Sequence, residues 1–179
     1  MFSRVLFLMS AFAAFTPWTF AQNSTPAVPG LTYLYTLNCT LLPPYIIGAG
    51  PRGFRVAIPI TGGYFNGPKL SGNVSDLGAD WGTTDNSTGV FSADTRYNLV
   101  TNDGANIFIQ TSGPQQPDGH LHLRQVFETG HPDYYWLNNI VAVGILTADT
   151  AGGWVSIDAW QLESPAASSS SSLTAGLNV

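Results

Sequence analysis

Between residues 31 and 163, apolar and polar residues alternate with a period of two, and glycine- and proline-containing pairs break the alternation at short intervals. Residues 31–42 (LTYLYTLNCTLL) alternate, and in 54–60 Phe54, Val56, Ile58 and Ile60 stand against Arg55, Ala57 and Pro59. Further short strands are expected around 69–74, 89–91, 95–101, 106–111, 121–127, 139–145 and 154–162. Period two places successive side chains on opposite faces of a strand. Gly-Gly, Asn-Gly and Asp-Gly pairs are expected as turns, because their residues accept positive φ at low cost. Asn102-Asp103-Gly104 is the sharpest hairpin signal, and the one helical candidate is a turn near 132–138. About eight or nine short strands predict an all-β protein, an antiparallel barrel or a sandwich. A small lipocalin-like barrel, closed or partly open, is favoured because closure removes unpaired edges.

The alternation fails at both ends of the chain. Residues 1–21 read as a secretory signal peptide, with Arg4 as its positive flank, an apolar run over 5–14, and Thr19-Phe20-Ala21 ahead of cleavage. The run is short for a membrane span and is followed by Pro17, so no membrane anchor is expected after cleavage. Residues 22–30 (QNSTPAVPG) form a flexible leader, and 164–179 (SPAASSSSSLTAGLNV) form a serine-rich disordered tail. The domain itself is 31–163, and the protein is expected to be secreted, in the extracellular space or the lumen of the secretory pathway.

Composition sharpens this picture. Of 179 residues, 44% are apolar and 9% charged, enough to build a core but little to wet a surface. Asn23, Asn38, Asn73 and Asn86 each begin an Asn-X-Ser/Thr sequon, so each is a candidate glycosylation site on an exposed face. With Asn38 facing out, Tyr33, Tyr35, Leu37 and Cys39 are expected to face in. Cys39 is the single cysteine, so no intramolecular disulfide forms, and it is read as a small buried hydrophobe. A net charge of −5, with six Lys+Arg and eleven Asp+Glu, argues against a nucleic-acid partner.

Charges set into an apolar pattern are the candidates for chemistry. The segment from Gly53 to Trp81 (GFRVAIPITGGYFNGPKLSGNVSDLGADW) carries Arg55 into a double glycine and ends on Asp80-Trp81. Arg55 in a lumen holds a carboxylate or polarises a carbonyl; its structural alternative is a buried pair with Asp80 or Asp94. Asp80 beside the Trp81 indole has a raised pKa and trades protons near neutrality, or is a turn residue capping backbone amides. Asp94 and Arg96 share a face, with Tyr97 on the other, where its hydroxyl meets a ligand oxygen or its ring fills core. Asp80, Arg55 and Tyr97 are therefore the candidate catalytic residues. Trp81, Arg96 and Trp136 are the candidate ligand-binding residues. Trp81, Trp154 and Trp160 suggest an aromatic interior suited to a small apolar or aromatic ligand. His120 and His122 lack a third ligand at metal-binding spacing, so no metal is expected. Nucleophile elbow, Walker, dinucleotide-binding, HExxH and CxxC patterns are absent from the sequence, and no cofactor is expected.

The blocks GFRVAIPITGGYFNGPKLSGNV…GADW, DTRYNLVTNDGANIFIQTSG, FETG and YYWLNNIVAVG, in this order, resemble the domain-of-unknown-function 3237 family across nearly all of 31–163. The resemblance implies a small β-barrel, often with an internal cavity, here as a secreted, fungal-type member. Some fungal members of that family close oxygen heterocycles in natural-product pathways, and most have no assigned activity. The block before FETG is compressed to HLHLRQVFETG, so Arg124 is not carried over as a site residue. The combined expectation is a secreted barrel that binds a small, mostly apolar molecule in its lumen. It is either a cofactor-free acid–base cyclase or isomerase, or a non-catalytic carrier or structural, effector-like interaction protein.

Overall fold

The computed structural model describes residues 25–149 and 151–165. The expected signal peptide, Asn23 and all but the first two residues of the serine-rich tail lie outside them. Ten strands follow one another: β1 (Gly30–Leu41), β2 (Tyr45–Gly50), β3 (Gly53–Asn66), β4 (Ser71–Asp80), β5 (Thr83–Thr84), β6 (Phe91–Thr101), β7 (Asn106–Pro114), β8 (Leu121–Glu128), β9 (Ala142–Asp149) and β10 (Trp154–Glu163). A 3₁₀ helix, Pro132–Asn139, stands between β8 and β9, where a helical turn is expected.

All pairings are antiparallel, and the order β1-β10-β9-β8-β7-β6-β4-β3 closes on itself because β3 also pairs with β1. The fold is therefore a closed β-barrel, as the alternation predicts. β2 lies outside the ring as a hairpin partner of β3, and β5 bridges β3 and β6. Neither strand is legible in the sequence: β5 is two residues long, and β2 follows two prolines and contains two glycines.

The double glycine departs from expectation. Gly62-Gly63 is not a turn; β3 runs straight through it. Its register shifts there against both neighbours, between Pro59 and Gly63 on the β4 side and between Thr40 and Leu41 on the β1 side. Both glycines have positive φ (134° and 143°). A Cβ on Gly63 would lie 2.1 Å from the Asn38 carbonyl oxygen. The pair is thus a bulge at the seam where the barrel closes, and it curls β3 between β1 and β4.

A second bulge corrects the parity of β1. Its register with β10 shifts between Tyr33 and Tyr35. Tyr35, Leu37 and Cys39 face in as expected, but Leu34 is also buried and Tyr33 is turned out. Asn38 is half-buried on the outer face, and Asn73 and Asn86 are exposed.

The barrel is filled unevenly. At one end the Asn66–Leu70 and Thr101–Asn106 connections and the 3₁₀ helix form a cap, with Leu137 buried. Above this cap Tyr35, Phe65, Leu99, Ile107, Ile109 and Phe127 pack into one core. Tyr35 meets Phe65 and Phe127 edge to face at 5.8 and 6.3 Å between ring centres. The other end stays hollow.

Gly63→Ala is expected to cost about 3 kcal/mol or more in chemical denaturation, because strain at positive φ adds to a backbone overlap. Gly104→Ala, at φ 89° in the Asp103-Gly104 turn with nothing within 4 Å of the added Cβ, should cost about 1 kcal/mol. Equal losses at the two sites would show that the closing seam does not depend on Gly63.

Candidate functional site

The hollow end encloses a cavity of about 620 Å³, within the range of about 300–1,000 Å³ that holds drug-sized ligands. Its wall is largely aliphatic, with Ile58, Ile60, Leu121, Leu146, Val155 and Ile157 inside, and Leu42, Pro43 and Pro44 at the mouth. Asp80, Thr95, Tyr97 and Thr111 are set into it.

These polar residues reach the lumen by strand register. Ile58, Asp80, Thr95, Thr111, Gln125 and Ala142 stand directly opposite one another on β3, β4, β6, β7, β8 and β9. Directly paired side chains on one face lie about 5 Å apart at Cβ. Four neighbouring strands therefore contribute one polar row, Asp80–Thr95–Thr111–Gln125, to an otherwise apolar interior. Thr95, Thr111 and Gln125 are all buried.

Asp80 is at the end of β4, half-buried, and its Oδ1 accepts the Asp94 backbone N–H at 2.8 Å. Burial in the apolar wall raises its pKa above the ordinary carboxyl range; the Asp94 amide and the Thr95 hydroxyl pull it down in part, and so, more weakly, does the Arg55 charge. The balance is a carboxyl displaced towards its protonated form. Burial is the largest cause of this rise, and Trp81, the neighbour from which a raised pKa is expected, does not line the cavity.

Tyr97 follows Thr95 by two residues and is fully enclosed. Its hydroxyl has no hydrogen-bond partner, and burial, with Tyr35 and Cys39 as electrostatic neighbours, holds its pKa well above 10. It stays an O–H donor and acceptor without a partner, buried in a residue that lines the cavity. Below it, the Tyr35 hydroxyl donates to Gln125 Oε1 at 2.9 Å and forms the floor, with Gln125 Nε2 unpaired. Cys39 also lines the wall, where burial pushes its thiol up to about 12, out of the reactive range.

The remaining predicted site residues lie elsewhere. Arg55 has the opposite parity to Ile58 and Ile60 and does not line the cavity; its guanidinium donates to the Trp81 carbonyl. No Arg55–Asp80 or Arg55–Asp94 ion pair is found among the described residues; the arginine pair present is Arg96–Asp94, at 2.9 Å on the outer surface. Arg96 and Trp81 meet in a shallow outer cleft with Leu77 and Phe108. Trp136 is at the capped end, under the Lys69 ammonium 5.2 Å from its ring centre. Trp160 packs against Tyr33 on the outside, leaving Trp154 at the mouth as the tryptophan that borders the cavity. The lumen is mainly aliphatic, with Phe91, Tyr97 and Trp154 as its aromatic members, and Trp81 and Trp160 do not line it. Arg124 and His122 are exposed, and His120 faces Asp118 at 3.4 Å.

Thr95, Thr111 and Gln125 were not selected by the sequence. The signal for them is a polar residue at an inward position of an apolar alternation: Ala93-x-Thr95-x-Tyr97-x-Leu99, Ile107-x-Ile109-x-Thr111, and Leu121-x-Leu123-x-Gln125-x-Phe127.

The protein is thus a small closed β-barrel with an internal cavity, whose wall carries a carboxyl and a buried, unpaired phenol. The chain belongs to the family described as protein of unknown function (DUF3237), whose model matches residues 29–162. It is 31% identical over 143 residues to the hydroalkoxylation enzyme phnH of Penicillium herquei, covering 80% of this chain and 90% of that one. A crystal structure of an enzyme from Penicillium herquei superposes with a TM-score of 0.65 at 30% identity, over 79% of this chain and all of the other. A beta-barrel like protein from Acinetobacter baumannii superposes with a TM-score of 0.71 at 35% identity, again over 79% of this chain and 100% of the other.

Two measurements test the geometry. Tyr97→Phe deletes a hydroxyl that bonds nothing and should leave stability unchanged or raise it by up to about 1 kcal/mol. Tyr35→Phe strands Gln125 Oε1 and should cost about 1–3 kcal/mol. Asp80 has a folded pKa above its ordinary value of 3.8, so the folded state holds its proton more tightly than the unfolded chain. Its contribution to stability is greatest below that ordinary value and is lost as pH rises through the folded pKa. Asp80→Asn should remove this slope from the stability–pH curve and make the protein more stable than the parent at neutral pH. A steeper loss on raising pH in the variant would contradict the assignment.

Proposed function

We propose that the chain is a cofactor-free enzyme that closes an oxygen-containing ring in a small, mostly apolar molecule by adding a hydroxyl across a carbon–carbon double bond, with Asp80 as the proton carrier. The observation that carries this reading is Asp80 itself, a carboxyl biased towards its protonated form in the wall of an aliphatic cavity. Similarity to a hydroalkoxylation enzyme supports it. The reaction is an isomerisation and balances without a co-reactant. One O–H bond and one carbon–carbon π bond are lost, and one C–O and one C–H bond form. The Asp80 carboxyl gives its proton to carbon, and the ring-closing hydroxyl returns one to the carboxylate. Folding a flexible substrate inside a cavity of this size supplies much of the acceleration, because both reacting ends belong to one molecule. Tyr97 holds a substrate oxygen. Arg55, the other predicted catalytic residue, acts only through its field at Asp80.

Export through a secretory pathway, with cleavage after Ala21 and glycans on Asn73 and Asn86, belongs to the same proposal. Its support is the apolar leader and the exposure of both asparagines.

Asp80→Asn should lower turnover of a cyclisable hydroxy-alkene by about 10²–10⁴-fold, the usual contribution of a general acid–base group, with ligand affinity within a few-fold of the parent. Single-turnover product analysis beside equilibrium binding separates the two effects. Full turnover in the variant would exclude the mechanism, and a carrier would show binding with no product in either protein.

A further inference from the structure

The cavity wall contains two carboxylates, Asp80 and Asp149, and among the described residues no Lys, Arg or His. The Lys and Arg side chains of the described residues have other positions: Arg52 exposed in the turn between β2 and β3, Arg55 on the Trp81 carbonyl, Arg96 on Asp94, Lys69 over Trp136, and Arg124 on the outer face of β8. A carboxylate or phosphate entering this lumen would shed its water with no counter-charge to replace it, and would do so beside Asp80. A neutral oxygen meets the opposite situation. At the Asp80–Thr95 pair it finds a carboxyl and a hydroxyl. Two residues further along β6, a backbone step of about 6.8 Å, is Tyr97, a wall residue whose buried hydroxyl has no partner of its own. Thr111, directly across from Thr95, faces the same space.

Resting on the reading of this cavity as the substrate site, we infer that it selects uncharged ligands bearing two oxygen substituents, one met at Asp80–Thr95 and the second at Tyr97, and that it rejects anions of the same shape. Tyr97 is then a specificity-determining residue. Its open hydroxyl leaves a buried hydrogen bond unmade until a ligand oxygen arrives, so a ligand lacking that oxygen binds to a site with an unsatisfied group. The anion rejection is a property of the wall as a whole, since no single basic side chain has to be removed to produce it.

The test uses the full chain and isothermal calorimetry at neutral pH with four probes: naphthamide, naphthoate, naphthol and a dihydroxynaphthalene whose oxygens match the separation of the two polar positions. Naphthoate should bind at least about 100-fold more weakly than its neutral isostere naphthamide. The gap should persist in Asp80→Asn, because the wall still offers no cation. The dihydroxynaphthalene should bind about 10-fold more tightly than naphthol, and Tyr97→Phe should abolish this gain while melting no lower than the parent. Naphthoate and naphthamide binding alike would overturn the selectivity while leaving the cavity a binding site. A dihydroxynaphthalene gain that survives Tyr97→Phe would remove Tyr97 from recognition. Failure of every neutral probe to bind would overturn both the selectivity and the cavity reading beneath it.

Discussion

Closure of the barrel is the constraint on which the rest of this protein depends. Once β3 pairs with β1, the strands that form the ring leave an interior just wide enough to be filled by side chains or by one small ligand. This barrel takes both options. The capped half receives Tyr35, Phe65, Leu99, Ile109 and Phe127 and becomes a solid core. The open half receives Cys39, Thr95, Thr111 and mid-sized aliphatic residues, and the space they leave is the cavity. The closing pair itself tolerates no Cβ at Gly63, so the close backbone approach at that seam and the hollow beside it belong to one design.

Closure also determines the electrostatics. Inward positions are cut off from bulk water, so every polar group placed there must find a partner or stay unpaired. The Tyr35–Gln125 bond solves that problem at the floor. Asp80 solves it in part, through the Asp94 amide, and remains displaced towards its protonated form. Tyr97 does not solve it. The interior thus passes from a bonded pair at the floor to a carboxyl in the cavity wall and a buried hydroxyl without a partner. The basic side chains of the described residues, by contrast, stay out of the cavity wall, and solvent stabilises them at little cost.

Alternation made much of this legible before any coordinates. It gave the antiparallel barrel, the hairpin at Asn102-Asp103-Gly104, the opposed faces of Arg96 and Tyr97, and the inward Cys39. It was silent wherever one inserted residue resets the period. The bulge after Tyr33 turns that tyrosine out, and the bulge at Gly62-Gly63 hides a continuous strand behind what reads as a turn. Among the candidate site residues, Asp80 and Tyr97 reach the cavity, while Arg55, Trp81, Arg96 and Trp136 do not. Arg55 was misplaced because a charge in an apolar run looks buried, although period two puts it opposite Ile58 and Ile60. Thr95, Thr111 and Gln125 were overlooked because each is unremarkable alone. Only register, which joins residues from separate strands into one row, shows that they belong together.

That row also separates a functional interior from a merely imperfect one. A carboxyl displaced from its ordinary pKa and a buried hydroxyl without a partner each work against folding. Either, alone and anywhere in the barrel, would be a packing defect. Here both belong to residues that line the same cavity, at positions linked by one rung and one step along β6. A larger apolar side chain at Thr95 or Thr111 would fill the space and relieve neither group, leaving the carboxyl buried and the hydroxyl without a partner. On the proposed reading, a ligand that completes the bonds of both groups accounts for them together.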